Sequence, residues 1–215
     1  YVSITVEYEG ELPTPVPITE ETTIGLDLNI VNLAYTSNAE ITDNPQYYER
    51  ELKRLARLQR KLSRREKGGK NRNKARIRVA RLHQKIANRR KDHAHKLSND
   101  LLVRYDTIIL EDLDIKAMVK NPYLARQIHD CAWGNLGIML EYKAKYRGKN
   151  VIRVDQYYAS TKICNSCGGY NETVKLKNRM WTCAHCEAVN EVDFNASLNL
   201  KTEGLNIVKQ LAVKE

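Results

Sequence analysis

The chain has 215 residues, 36 of them Lys or Arg against 26 Asp or Glu, for a formal net charge of +10. That length accommodates one sizeable core plus a small satellite module. No apolar run nears the roughly 18 residues of a membrane span and no secretory signal is visible, so the expected setting is cytosolic and reducing, with no membrane partner.

The charge is concentrated. Residues 50–96 hold twenty Lys and Arg against Glu51, Glu66 and Asp92, a balance of +17, while the other 16 basic and 23 acidic residues leave the remainder at −7. A basic block on an otherwise acidic chain points to a polyanion, nucleic acid first. A solvated helical face with i,i+4 ion pairs is the alternative, but three acids cannot pair twenty bases.

Residues 1–8 (YVSITVEY) alternate, with Val2, Ile4, Val6 and Tyr8 on one face, and predict a strand. Three prolines in GELPTPVP break the pattern, so residues 1–18 read as the last strand and linker of a domain upstream of Tyr1. Residues 23–28 (TIGLDL) and 30–36 (IVNLAYT) predict two strands joined tightly around Asn29. Asp27 lies inside the first. A carboxylate in an apolar strand costs several kcal/mol unless it is paired or binds metal; the other reading is a side chain that caps a turn.

From Asn44 the period becomes helical. Tyr48, Leu52, Leu55, Leu58 and Leu62 recur at spacings of four and three, and beyond a loop over KGGKNRNK so do Ala75, Val79, Leu82, Ile86, His93 and Leu97. This predicts a helical hairpin over 44–98 with one narrow apolar seam per helix. Around its loop, Arg60, Lys61, Arg64, Arg65, Lys67, Lys70, Arg72, Lys74, Arg76 and Arg78 are the candidate nucleic-acid contacts. His83, His93 and His95 could bind metal; seam packing for His93 and exposure for the other two is the simpler reading.

Residues 105–111 (YDTIILE) predict a strand ending in a second acid, Glu111. After Asn121-Pro122, the residues Ile128, Ala132, Leu136, Met139 and Tyr142 predict one long amphipathic helix ending near Gly148, with Cys131 on it as a buried small hydrophobe. Residues 151–154 (VIRV) predict another strand. Residues 19–158 thus form a mixed α/β domain around one sheet.

Residues 159–190 read as a separate module. Cys164-x2-Cys167 and Cys183-x2-Cys186, fifteen residues apart, carry the spacing of a closed site for one structural Zn²⁺, with no open position for chemistry. Two disulfides are the alternative, and nothing marks the chain as secreted. Residues 191–215 follow as a helix and tail, with Asp193 of DFNASLNL placed where an N-cap would stand. Three carboxylates at element ends, Asp27, Glu111 and Asp193, suit hard Mg²⁺. Two such ions about 3.5–4 Å apart can activate water and stabilise the leaving oxygen of an in-line displacement. Spacing alone does not make that triad specific; its coincidence with the basic block and the knuckles raises it.

In order along the chain stand GLDLNI around Asp27, LSRREKGGKNRNKARIRVARLHQKIANRRKDHAHKLS, LEDLDIKAM around Glu111, ASTKICNSCG with WTCAHC, and DFNASLNL. Together they resemble the C-terminal part of TnpB (OrfB-type) proteins, transposon-associated RNA-guided nucleases related to type V CRISPR effectors. The resemblance covers nearly all of 22–204. It implies an RNase H-like (RuvC-type) mixed sheet with an inserted basic helical hairpin and an inserted zinc ribbon. It further implies a DNA endonuclease in which Asp27, Glu111 and Asp193 are catalytic and hold two Mg²⁺, or Mn²⁺ in its place. The implied partners are a guide RNA and a target DNA, with no small-molecule substrate, in the cytoplasm of a prokaryotic cell or its mobile element. The order Asp, Glu, Asp resembles RuvC enzymes and argues against DDE-type transposases, whose Glu comes last. A nuclease-inactive RNA-guided repressor and a zinc-ribbon DNA-binding module are the alternatives; the intact triad disfavours the first. The chain departs from the family pattern at Asn29 and Glu187, where Gly is usual. It departs again at Glu191 and Val192, where Asp-Arg usually precedes the third acid, and so lacks a cation beside the acids.

Overall fold

A computed structural model describes residues 4–6, 10–174 and 178–213. At its centre lies a five-stranded sheet in the order β3-β2-β1-β4-β5. Strands β1 (Thr23–Asp27), β2 (Asn32–Thr36) and β3 (Ile41–Asp43) form an antiparallel meander. Strands β4 (Thr107–Glu111) and β5 (Asn150–Val154) continue the sheet in parallel on the far side of β1. Parallel neighbours need long crossovers, which the helices supply. Helices α1 (Tyr47–Ser63) and α2 (Lys70–Arg104) lead from β3 to β4, and α3 (Ile115–Met118), α4 (Ala125–Cys131) and α5 (Trp133–Tyr146) lead from β4 to β5. Strands β6 (Met180–Thr182) and β7 (Val189–Glu191) pair as a small hairpin before the last helix, α6 (Val192–Ala212).

Side chains alternate across a strand, and here the alternation assigns each core its layer. Ile24 and Leu26 of β1 and Ile108 and Leu110 of β4 share a core with Leu97 and Leu101 of α2 and Leu136 and Leu140 of α5. Ile109 and Val154 face the other way, onto Leu200 of α6. With both faces covered, β1 and β4 read as continuous apolar runs. Helix α6 lies close on β1: a Cβ at Gly25 would fall 2.1 Å from the Ser197 carbonyl oxygen.

The helical hairpin has a small core of its own, Leu55 with Leu82 and Ile86. Helix α2 runs six residues past the expected end at 98, because its C-terminal part joins the main core through Leu97, Leu101 and Leu102. The expected loop over 67–74 is also shorter, since Lys70 already begins α2. Arg72 closes this turn by donating to the carbonyls of Leu62 and Arg65, each at 3.0 Å. At the other end α1 has no side-chain cap of its own. The buried Asp130 of α4 supplies it, accepting from the backbone N–H of Tyr48 at 2.9 Å and of Glu49 at 3.3 Å.

The single helix expected before Gly148 is broken. Ala132 sits at φ 56 between α4 and α5, and Tyr142, expected on the buried face, is 41 % exposed. The apolar spacing continues across the break because Ile128 and Leu136 serve the same core from two directions. Of the strand expected over 1–8, residues 1–3 and 7–8 lie outside the described residues, while Ile4, Thr5 and Val6 are exposed and in no strand. The segment after them runs beside the start of β5, with the Val16 N–H donating to the Gly148 carbonyl at 2.8 Å. Among the described residues no helix is long and apolar enough to cross a membrane.

Candidate active site and metal centre

Asp27 and Glu111 are the last residues of the parallel strands β1 and β4, whose register pairs Leu26 with Leu110. Alternation puts Asp27 on the face of Gly25 and Glu111 on the face of Ile109, the face that α6 covers. Asp193 is the second residue of α6 and is buried there. It is not the N-cap that the sequence suggested. Glu191 caps the helix, accepting from the Phe194 N–H at 2.7 Å, and Asp193 lies in the first turn, where the helix dipole favours an anion.

Each acid has a distinct partner. The Asn29 side-chain amide donates to Oδ2 of Asp193 at 3.0 Å and to Oδ2 of Asp27 at 3.4 Å. The Ser160 hydroxyl donates to Glu111 at 2.7 Å. Arg179 forms an ion pair with Asp193 and stands 3.7 Å from Glu191. It reaches the acids because β6 pairs with β7, and the Val192 N–H donates to its carbonyl at 2.8 Å. A cation therefore stands beside the acids although Val192 occupies the place where the related pattern has Arg. Neither Ser160 nor Arg179 was singled out from the sequence. Their only signal is their position next to the two cysteine knuckles.

Burial, and then the nearby Glu111 charge, push the Asp27 carboxyl up to about 7, against the pull of the Asn29 amide and Arg179. Burial likewise raises Glu111, and the Ser160 hydroxyl opposes it. Buried carboxylates whose ionisation is disfavoured offer oxygen donors suited to a hard divalent cation. Among the described residues, however, the only group of three or more possible ligands drawn close together is the four cysteines. The acids line a site without meeting at one point.

Those four Sγ atoms all lie within 4.8 Å of one another. Cys164 and Cys186 are 3.7 Å apart, as are Cys167 and Cys183, far beyond a disulfide bond, and all four are free thiols. Several N–H groups point at the sulfurs: Gly169 at Cys167 and His185 at Cys183, both at 3.4 Å, and the Asn190 amide at Cys164 at 3.6 Å. Burial raises Cys183, yet the backbone N–H groups of His185 and Cys186 and the Asn171 amide outweigh it and bring the thiol to about 6. The Ala188 N–H pulls on Cys186, but the sulfurs around it push that thiol to about 12. Four clustered sulfurs with N–H groups directed at them are a soft donor set that Zn²⁺ fits. Asn195 and Asn199 of α6 tie the first knuckle to the acid site by donating to the Ile163 carbonyl at 2.7 and 2.6 Å. Glu187 sits at φ 60, a left-handed conformation that explains why Gly is usual there.

The ten basic candidates cluster at the free end of the hairpin, and all but the half-buried Arg72 are exposed. His93 packs in the seam, edge-on to Tyr47 with ring centroids 6.2 Å apart. His83 is exposed and His95 half-buried, and among the described residues no histidine joins a group of possible metal ligands. Cys131 is buried, and that burial raises its thiol to about 11.

Comparison with known proteins places this arrangement. Residues 133–200 match the family model for the "Cas12f1-like, TNB domain". A Streptomyces pristinaespiralis protein named "Putative RNA-guided DNA endonuclease" is 42 % identical over 192 residues, covering 89 % of this chain and 47 % of the relative. An Escherichia coli K12 protein, "Putative RNA-guided DNA endonuclease InsQ", is 30 % identical over 216 residues, covering 94 % and 53 %. The chain thus spans about half the length of these curated relatives. The cryo-EM structure of "the Cas12f1-sgRNA-target DNA complex" shares the fold at a TM-score of 0.60 and 17 % identity, covering 86 % of this chain and 50 % of that one. Residues 3–122, more than half of the chain, match the model of the OrfB_IS605 family, described as "Probable transposase", and the chain belongs to that family.

Proposed function

We propose that this chain is the RuvC-like, RNase H-like nuclease part of an RNA-guided DNA endonuclease, with guide RNA and target DNA as partners in the full-length protein. In this reading residues 19–158 and 191–213 make the nuclease domain and residues 159–190 a zinc ribbon. The observation that carries it is the placement of Asp27 and Glu111 on the sheet face where α6 delivers Asp193, on a chain whose hairpin is strongly basic. The names of its relatives point the same way.

Asp27, Glu111 and Asp193 would hold two Mg²⁺ ions, which when bound supply a water nucleophile and stabilise the leaving 3′ oxygen. The chain's own residues do the rest. Ser160 orients Glu111, Arg179 holds Asp193 and offers a guanidinium to a phosphate oxygen, and the hairpin neutralises backbone charge outside the site. Cys164, Cys167, Cys183 and Cys186 would hold Zn²⁺ as a structural ion, keeping Arg179 and the start of α6 in place.

The test is cleavage of end-labelled single-stranded DNA with Mg²⁺ and with EDTA, using the intact chain and single Ala variants of the three acids. Slow, unguided cutting that needs Mg²⁺ and disappears in each variant, while DNA binding persists, is the expected result. Cutting that survives in Asp27→Ala, Glu111→Ala or Asp193→Ala removes that acid from the site; survival in all three, or in EDTA, overturns the proposal.

A further inference from the structure

Among the described residues, Asn29 is the one side chain that hydrogen-bonds two of the three acids. Its orientation is fixed from the other end: Oδ1 accepts from the Asn32 backbone N–H at 2.8 Å, which turns both N–H bonds of Nδ2 toward the carboxylates. Asp27 is a local neighbour two residues away, but Asp193 is 164 residues away, so the bridge between the two acids is a product of the fold. The bonds also fall on one side. Among the described residues, Asp27 receives Asn29 on Oδ2, Asp193 receives both Asn29 and Arg179 on Oδ2, and neither Oδ1 takes a hydrogen bond.

We infer that Asn29 is a positioning residue for the acid site: one amide, locked by Asn32, clamps Asp27 and Asp193 by one oxygen each and presents their other oxygens to a divalent cation. The inference rests on the reading of these acids as a metal site. A carboxylate that ligates through one oxygen and accepts a hydrogen bond at the other is held in orientation before the ion arrives, and loss of such a partner typically weakens metal binding about 10–100-fold. The clamp also matters without metal. Two buried carboxylates repel one another, and an N–H donated to each offsets part of that repulsion.

A purely local role is separable. If Asn29 matters only as the acceptor for the Asn32 N–H, serine retains it, because a Ser hydroxyl makes the same turn contact more weakly but is too short to bridge two acids. The experiment titrates zinc-loaded, nucleic-acid-free protein with Mn²⁺ and follows free Mn²⁺ by electron paramagnetic resonance. Wild type, Asn29→Ala, Asn29→Ser and Asp27→Ala are compared, with thermal melts to confirm folding. Both Asn29 variants should bind Mn²⁺ about 10–100-fold more weakly than wild type. In DNA cleavage the Mg²⁺ concentration for half-maximal rate should rise by a similar factor, with the rate at saturating Mg²⁺ changed far less. Wild-type Mn²⁺ affinity in Asn29→Ser, or in a folded Asn29→Ala, overturns the clamp while leaving the metal site standing. Mn²⁺ binding that is absent in wild type or unchanged in Asp27→Ala removes the metal site itself, and the clamp with it.

Discussion

At the scale of single residues, the acid site holds stability that depends on protons. Asp27 titrates near 3.9 in an unfolded chain and at about 7 in the folded protein, where burial and Glu111 disfavour its charge. Between those values the folded state keeps a proton that the unfolded state has released, so this stability is full below about pH 4 and is lost as pH rises to 7. Calorimetry of zinc-loaded protein in buffer without Mg²⁺ should show the melting temperature of wild type falling more steeply over that window than that of Asp27→Asn, which has no such proton; equal slopes would contradict the raised carboxyl. Glu187 offers an independent check, since its φ of 60 is unfavourable for any residue with a Cβ. Replacing it with Gly should stabilise the cysteine module by about 1 kcal/mol, read as a higher chelator concentration needed to unfold it. Both aspartates and the glutamate were visible in the sequence because a charge inside or beside an apolar run is conspicuous. Ser160 and Arg179 were not, because a hydroxyl or a cation in a polar loop gives no pattern; only the pairing of β6 with β7 reveals where Arg179 points.

At the scale of elements, the sequence revealed most where one face of a helix or strand is buried and least where two elements share a core. Strands β1 and β4 were legible within two residues, because covered parallel strands are apolar throughout. The break at Ala132 was hidden because apolar spacing continues across it, and β3, three residues long and mostly exposed, has too little burial to leave a trace. The hairpin's attachment was equally unreadable: α1 is capped by Asp130, 82 residues away from Tyr48. Asp130→Ala should remove a charged cap and cost about 2 kcal/mol, seen as a lower urea midpoint and as faster amide exchange in the first turn of α1 than elsewhere. The cysteine module should behave as a unit with its ion. Stripping Zn²⁺ with a chelator should melt residues 163–191 and release Arg179 and the Glu191 cap, so that cleavage falls even with Mg²⁺ in excess. Retention of full activity by zinc-free protein would separate the module from the site.

At the scale of the whole molecule, a basic arm projects from a sheet whose acids lie on the opposite side from α2 and α5. Binding should be steeply salt-dependent, with a log–log slope of about −0.9 for each phosphate neutralised, and should carry little sequence preference. Replacing Lys70, Lys74 and Arg78 with Gln should flatten that slope in filter-binding titrations without altering preference among sequences; an unchanged slope would move the contacts elsewhere. Arg72 is left out of that set because its guanidinium closes the hairpin turn. The close seat of α6 on Gly25 has a further bearing on how the protein is made. The first acid is synthesised with β1, but the third comes 166 positions later on the last helix. At about 5–20 residues per second, a nascent chain spends roughly ten seconds or more with Asp27 exposed and no Asp193 to meet it. A chain stalled before Val192 therefore carries Asp27, Glu111 and the basic arm without Asp193, and under the proposed function it should hold nucleic acid without cutting it.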